Sequence, residues 1–311
     1  MKVRVLGTES LGVRGLCCEV QVKDRRVVID PGIALGYRRN GLLPHPAQVA
    51  VGEQIRQEIV VALENATDVV FSHFHGDHIP LPDANPYQLA AHQVAQHLQT
   101  VRLWSKGPDG ISPRMAARRG ALIGILGRDL PNSEGETAGP LLFSRAVPHG
   151  ELQMGQGSVM LTCIKDEDGV FVHASDIQLL GSAAVGLILA WQPDIVLVSG
   201  PPLYLVRLSP QQKQLAWGNG LRLAQGVATL ILDHHLLRCE AGLRWLDRLA
   251  STTGKQVLCA ADFMNRPRRM LEAWRPRLYE QMPVPDGWHD AYACGRVDTN
   301  AYSYYIESCD P

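Results

Sequence analysis

The run "DVVFS" (residues 68–72) reads as a buried strand and passes without a break into "HFHGDH" (73–78). Whatever fold the chain adopts must keep that strand inside and bring its end to a place where the next side chains can converge. Six residues there hold four of metal-binding type, His73, His75, Asp77 and His78. Gly76 permits the tight turn that a ligand loop on a strand end requires. Imidazole and carboxylate donors suit Zn²⁺, Mn²⁺ or Fe²⁺, and the absence of thiolates favours an open, catalytic centre over a closed structural zinc site. A crowded polar turn without metal is the competing reading, and four ligand-type residues in six positions at a strand end weigh against it.

The flanking sequence predicts what carries this loop. Residues 2–7, 15–22 and 25–32 read as a meander of short strands, closed by a Pro-Gly break. Residues 36–66 form an insertion, a loop around "LLPHPAQ" followed by a helix with Val51, Ile55, Ile59, Ala62 and Leu63 at helical spacing. Past Pro82 the pattern predicts a helix over 86–98, a short strand "TVRLW" and a basic helix over 113–126. Strands follow at "PLLFSRAV", "SVMLTCI" and "GVFVHAS". The last third alternates helix 179–191, strand "DIVLVSG", a helix capped by Ser209, strand "ATLILD", helix 241–253, strand "QVLCA" and a basic helix ending near Gln281. "MPVPDGWHDAYACG" then reads as a closing loop and "AYSYYIE" as a terminal strand. A β-rich half followed by βαβα units predicts a layered α/β fold, with two sheets sandwiched between helices. With 311 residues and 46% hydrophobic content, one elaborated domain over 1–311 is expected, with a helix-loop-strand closure over 262–311.

A formal net charge of −1 gives no global basic field, so anion recognition must be local. No basic-then-apolar leader precedes "MKVRVLGTES", and the most apolar stretch, 183–206, is interrupted by "QPD" and "GPP". A cytoplasmic chain without a membrane segment is the expectation. Seven cysteines with no C-x-x-C pair predict free thiols rather than a disulfide or Cys-zinc framework.

The loop at 73–78 resembles the signature of the metallo-β-lactamase superfamily. That resemblance implies an αββα four-layer sandwich with metals on loops at one edge of two sheets. It also calls for an Asp after an early strand, a His after a later one, an Asp after the next hairpin and a final His near the C-terminus. "RVVIDPG" supplies Asp30, "SRAVPHG" supplies His149, "VFVHASDIQ" supplies Asp176, and "TLILDHH" supplies His234 or His235. By the resemblance, His73, His75 and His149 hold one divalent ion, Asp77, His78 and the final His hold a second, and Asp176 bridges them. Asp30 then stands behind the ligands, accepting the outer N–H of an imidazole. His234 is preferred as the last ligand because it follows "LILD" as His73 follows "VFS"; His235 is the alternative. Two ions, zinc first and manganese or iron next, would share a bridging hydroxide, with Asp77 and Asp176 as the catalytic carboxylates. "YRRNGLLPHP", "SHFHGDH", "SDIQ", "LDHHLLR" and "AADFMNRPRRMLEAWRPRLYE" resemble more closely a prokaryotic family of predicted metal-dependent hydrolases within that superfamily, which implies fold and metals and carries no substrate.

Substrate contacts are expected from Arg38, Arg39 and His45, in the insertion that would lie over the metals. The basic stretches 112–119 and 265–277 read as solvated faces more than binding patches. His92, His97, His173 and His289 read as structural or exposed, with His173 the nearest to the site. No flavodoxin-like extension, basic nucleic-acid module or long inserted nuclease domain is found. The reading is a dinuclear hydrolase of a small or medium anionic ester, phosphodiester ahead of lactone or thioester. The alternatives are a nuclease on the same fold, using the basic helices, and a non-catalytic metal-binding or ligand-sensing protein.

Overall fold

In the computed structural model, which describes residues 1–150 and 157–302, β1 (Lys2–Gly7), β2 (Cys17–Val22) and β3 (Arg25–Ile29) pair antiparallel as a meander. A parallel neighbour needs a crossover, and α1 (Pro46–Glu64) supplies it. The strand β4 (Asp68–Phe71) therefore joins β3 in parallel, and β5 (Arg102–Ser105) joins β4 after α2 (Ala91–Thr100). All four β4 residues are buried, as a strand covered on both faces must be. The helix α1 buries Ile55 and Ile59 against β1, and α2 packs on α1 and on α3 (Pro113–Leu126).

The remaining strands are β6 (Thr137–Ala138), β7 (Leu141–Phe143), β8 (Val147–Pro148), β9 (Ser158–Val159), β10 (Thr162–Asp166), β11 (Gly169–Ala174), β12 (Ile195–Val198), β13 (Thr229–Leu232) and β14 (Gln256–Leu258). The second sheet runs β14-β13-β12-β11-β10-β7-β6, parallel from β11 to β14 and antiparallel beyond. Its crossovers are α4 (Ser182–Ala190), α5 (Pro210–Gly226) and α6 (Glu240–Thr253), packed in series. Ser209 caps α5 as a full capping box with Gln212. The apolar faces of both sheets share one core, and the Trp104 ring of one stacks on Phe143 of the other at 5.3 Å. This is the expected αββα arrangement. Among the described residues no helix is long and apolar enough to cross a membrane. The six described cysteines are all free.

Several boundaries differ from the sequence reading. The helix expected over 86–98 starts at Ala91, because residues 89–91 bond in extended form to Leu81. "PLLFSRAV" and "SVMLTCI" each split, since Val147–Pro148 and Ser158–Val159 leave the large sheet to form the β8/β9 ribbon. The last basic helix is broken: α7 (Ala260–Phe263) and α8 (Arg275–Gln281) flank an irregular segment that begins where Arg268 folds back onto Asp262. The closing loop contains α9 (Trp288–Ala293), in which Trp288 and Tyr292, four residues apart, stack at 5.1 Å. Residues 300–302 form a 3-10 turn at the start of the expected terminal strand, and the rest of "AYSYYIE" lies outside the described residues.

Candidate metal centre

Every expected metal residue sits just past the C-terminal end of a strand, and all meet at one edge of the two sheets. Asp30 follows β3, His73 to His78 follow β4, His149 follows β8, Asp176 follows β11, and His234 and His235 follow β13. Three of these turns use backbone that L residues seldom adopt: φ is 49° at Asp30, 56° at Asp176 and 42° at His234. Such conformations cost of order 1–3 kcal/mol each, so the surrounding fold must enforce them. Gly32 shows how tight the meeting is, because a Cβ there would lie 2.2 Å from the Ile79 nitrogen. The Asp30 turn is thus laid directly on the backbone of the ligand loop.

The two carboxylate oxygens of Asp176 form the centre. Around Oδ2 stand His73 Nε2 at 3.0 Å, His75 Nδ1 at 2.9 Å and His149 Nε2 at 2.6 Å. Around Oδ1 stand His78 Nε2 at 3.2 Å, His234 Nε2 at 3.1 Å and His235 Nε2 at 3.2 Å. Asp77 closes the second group, 3.9 Å from His78 Nε2 and 3.7 Å from His234 Nε2. Only His75 and Asp77 offer much surface to solvent, with side chains 29% and 19% exposed. A reactant therefore has its approach on the His75 and Asp77 side.

The atoms behind the ring nitrogens fix which of them carry protons. Ser72 Oγ donates to Asp30 Oδ2 at 2.6 Å and so accepts from His73 Nδ1 at 2.8 Å. His78 Nδ1 faces Asp30 Oδ2 at 3.2 Å, and His234 Nδ1 faces Glu9 Oε2 at 2.8 Å. A carboxylate only accepts, so these Nδ1 atoms bear the protons and the Nε2 lone pairs point inward. The Gln178 amide sits against His149 Nδ1 at 3.2 Å.

These residues fit divalent cations. His78 Nε2 and His234 Nε2 face each other at 3.1 Å, a contact that only a proton or a cation between them can relieve. His235 Nε2 lies 3.2 Å from Asp176 Oδ1, but among the described residues it is buried without a well-directed hydrogen bond. Donors held about 2.0–2.1 Å from a zinc ion stand roughly 3.3 Å apart at tetrahedral corners, close to the spacings found here. Protonation shows the same demand for positive charge. Burial would pull His78 down, but Asp176 and Asp77 hold it well above its usual value; Glu9 does the same for His234. Burial wins at His73, which falls to about 3, and at His235, which falls as well. Asp30, Asp77 and Asp176 are all held below the usual carboxylate value, because the imidazoles around them outweigh burial. Ions at these nitrogens would displace the protons.

A UPF0282 protein of Methanosarcina mazei is 49% identical over 302 residues, covering 97% of this chain and 99% of that protein. The chain belongs to the UPF0282 family. A second member, from Methanopyrus kandleri, is 36% identical over 295 residues, covering 89% of this chain and 99% of its own length. Models of known domain families give no match. Among solved structures, a metal-dependent hydrolase of the β-lactamase superfamily superposes with a TM-score of 0.50 at 14% identity, covering 83% of this chain and 95% of that one. This UPF0282 chain thus has the metallo-β-lactamase fold.

Several residues of the UPF0282 site carry no signal in the local sequence. Glu9 accepts from Arg238 Nε at 2.7 Å as well as from His234, and Arg238 Nη2 reaches Asp77 Oδ2 at 3.2 Å and His234 Nε2 at 2.9 Å. Arg238, four residues past His234 in "LDHHLLR", is the one that spacing could have suggested. The insertion corrects the expected substrate contacts. His45 is buried, its Nδ1 capping α1 by accepting from the Ala47 nitrogen and its Nε2 bonded to the Met282 carbonyl, so neither nitrogen is left for a substrate. Arg38 turns back to the Gly41 carbonyl on the exposed loop. Arg39 reaches the rim, over the Tyr204 ring at 4.9 Å, and donates to the Arg238 carbonyl. His173 bonds to the Leu16 carbonyl, a structural role.

Proposed function

We propose that this chain is a metal-dependent hydrolase holding two divalent ions, zinc first, and acting on a small or medium anionic ester, with phosphodiester ahead of lactone or thioester. The observation that carries the reading is the set of inward lone pairs around the two oxygens of Asp176. His73 Nε2, His75 Nδ1, His149 Nε2 and Asp176 Oδ2 would hold one ion. Asp77, His78, His234 and Asp176 Oδ1 would hold the other, with His235 as an added donor. Bound there, the ions supply Lewis-acid activation of water and polarisation of a carbonyl or phosphoryl oxygen.

The chain itself does the positioning. Asp30, Ser72 and Glu9 keep the Nδ1 protons of His78, His73 and His234 on the outer side, so the donor atoms stay unprotonated toward the centre. Arg238 bridges Asp77 and Glu9, sharing one positive charge between them and keeping both from drifting. Asp77, partly exposed at the open side, is the carboxylate of the centre nearest to solvent.

The nuclease reading has less support. In the stretch 265–277, Arg266 pairs with Glu58, Arg268 with Asp262 and Arg277 with Glu240. Arg275 is buried on the carbonyls of Leu35, Gly36 and Leu42. Those charges are paired at the surface or, for Arg275, buried on backbone carbonyls.

A panel of phosphodiesters, lactones and thioesters, assayed with Zn²⁺, Mn²⁺ and Fe²⁺, tests the reaction class. Turnover that Asp176→Ala abolishes is expected; a panel with no such turnover sinks the hydrolase reading.

A further inference from the structure

On the open side of the centre, His75, Gly76 and Asp77 share a cavity with Arg14, Tyr37, Asn85, Gln88 and Arg118. Its donors and acceptors are unevenly spent. Asn85 uses its Oδ1 on the Tyr87 nitrogen, and Gln88 uses its Oε1 on the Asn85 nitrogen. Those bonds fix the orientation of both amides, because a backbone N–H can be met only by the oxygen. Their NH₂ groups have no acceptor among the described residues. Arg14 is spent as well, bidentate on Glu272 through Nε and Nη2, both at 2.5 Å.

Arg118 differs. Its only hydrogen bond among the described residues is a long one, Nη1 to the Phe74 carbonyl at 3.4 Å, and it makes no ion pair there. The guanidinium lies against Gly76, where a Cβ would meet Nη2 at 3.0 Å. Gly76 is not among the glycines with positive φ, so what it provides is room for this side chain between His75 and Asp77. A half-buried guanidinium with no ion pair is an incomplete electrostatic arrangement, since the nearby charges of Asp77 and Asp83 return only part of what desolvation takes from it. Asp77, the one acidic group in the cavity, is engaged by Arg238 at 3.2 Å.

We infer that this cavity binds an oxyanion of the substrate, phosphate or carboxylate, lying away from the bond that is cut, with Arg118 as its charged partner and the Asn85 and Gln88 amides as flanking donors. The inference rests on the hydrolase reading for the word substrate, and on the cavity alone for the anion. The neighbouring Tyr37 ring, 58% exposed, offers a face to the group that links the anion to the ester. Arg118 is then a specificity-determining residue, supplied by the basic helix α3 that sequence alone assigns to solvent.

Titration of the metal-loaded protein with inorganic phosphate, and in parallel with acetate, reads this site directly. Arg118→Gln should raise the Kd of the preferred anion at least about tenfold, roughly 1.4 kcal/mol. Arg118→Lys, a point charge without the fork, should keep part of the affinity. Arg114→Gln, exposed on the same helix, should match the wild type. The choice between phosphate and acetate names the source of the charge. Equal anion affinity in wild type and Arg118→Gln, an equal loss in Arg114→Gln, or no anion binding by the wild type overturns the inference. Arg118-dependent binding in a protein that hydrolyses no ester keeps the anion site and removes the hydrolase reading.

Discussion

The hydroxyl of Ser72 decides which nitrogen of His73 faces the centre, because its single proton goes to Asp30 and leaves it only able to accept. Glu9 does the same for His234 from the other end of the chain, 225 residues away. Groups of this kind tune a ligand without touching the ion, and losing one commonly costs 10–100-fold in metal affinity. Glu9→Gln should therefore weaken divalent-metal binding by about that factor in a chelator competition, while the circular dichroism of the folded chain is kept. Unchanged affinity would mean that Glu9 serves only Arg238. A second buried carboxylate, Glu272, is held below its usual 4.5 because Arg14 outweighs its burial. A depressed folded pKa gives stability that is present above the unfolded value and is lost as pH falls through the folded one. Glu272→Gln should then cost about 2–4 kcal/mol at pH 7, and its deficit in urea unfolding should shrink below pH 4.5. A deficit that stays constant with pH would show that Glu272 contributes shape and not charge.

At the scale of elements, the strand ends do the work. Asp30, Asp176 and His234 all leave their strands in the left-handed region, and the Asp30 turn lies against the ligand loop with no space for a methyl at Gly32. Gly32→Ala forces backbone against backbone, so it should destabilise by about 3 kcal/mol and lower metal content together. Normal metal content with normal stability would contradict that packing. The sequence made much of this visible. Apolar runs located the strands that precede Asp30, His73, Asp176 and His234, the superfamily resemblance singled out those residues and His149, and "HFHGDH" carried four of the centre's residues in one turn. What it hid depends on contacts across the fold. Glu9 stands in an unremarked stretch, Gln178 and Arg118 in stretches notable for other reasons, and all three gain their roles only when distant elements meet. His45 misled for the same reason: a histidine in an arginine-bearing loop looks available, and only the packed structure shows both its nitrogens taken by a helix cap and a carbonyl. The β8/β9 ribbon was hidden because two-residue strands have no periodicity to read.

At the scale of the molecule, the centre joins the two halves of the sandwich. His73, His75 and His78 hang from the first sheet, Asp176 and His234 from the second. Ions bound there would hold both sheets at once, and a ligand present at a thousand times its Kd adds about 4 kcal/mol to the folded state. Chelation should therefore lower the Tm by roughly 10 °C, since each kcal/mol moves a large domain by about 2–4 °C. An unshifted melt would place the stability of that edge in Arg238 and the carboxylates alone. Metal content per chain, measured by elemental analysis after purification without chelator, tests the metal centre itself. Two divalent ions per wild-type chain, with a clear loss in His73→Ala, is the predicted result. Substoichiometric metal in the wild type, with neither metal content nor stability changed by His73→Ala, would contradict it.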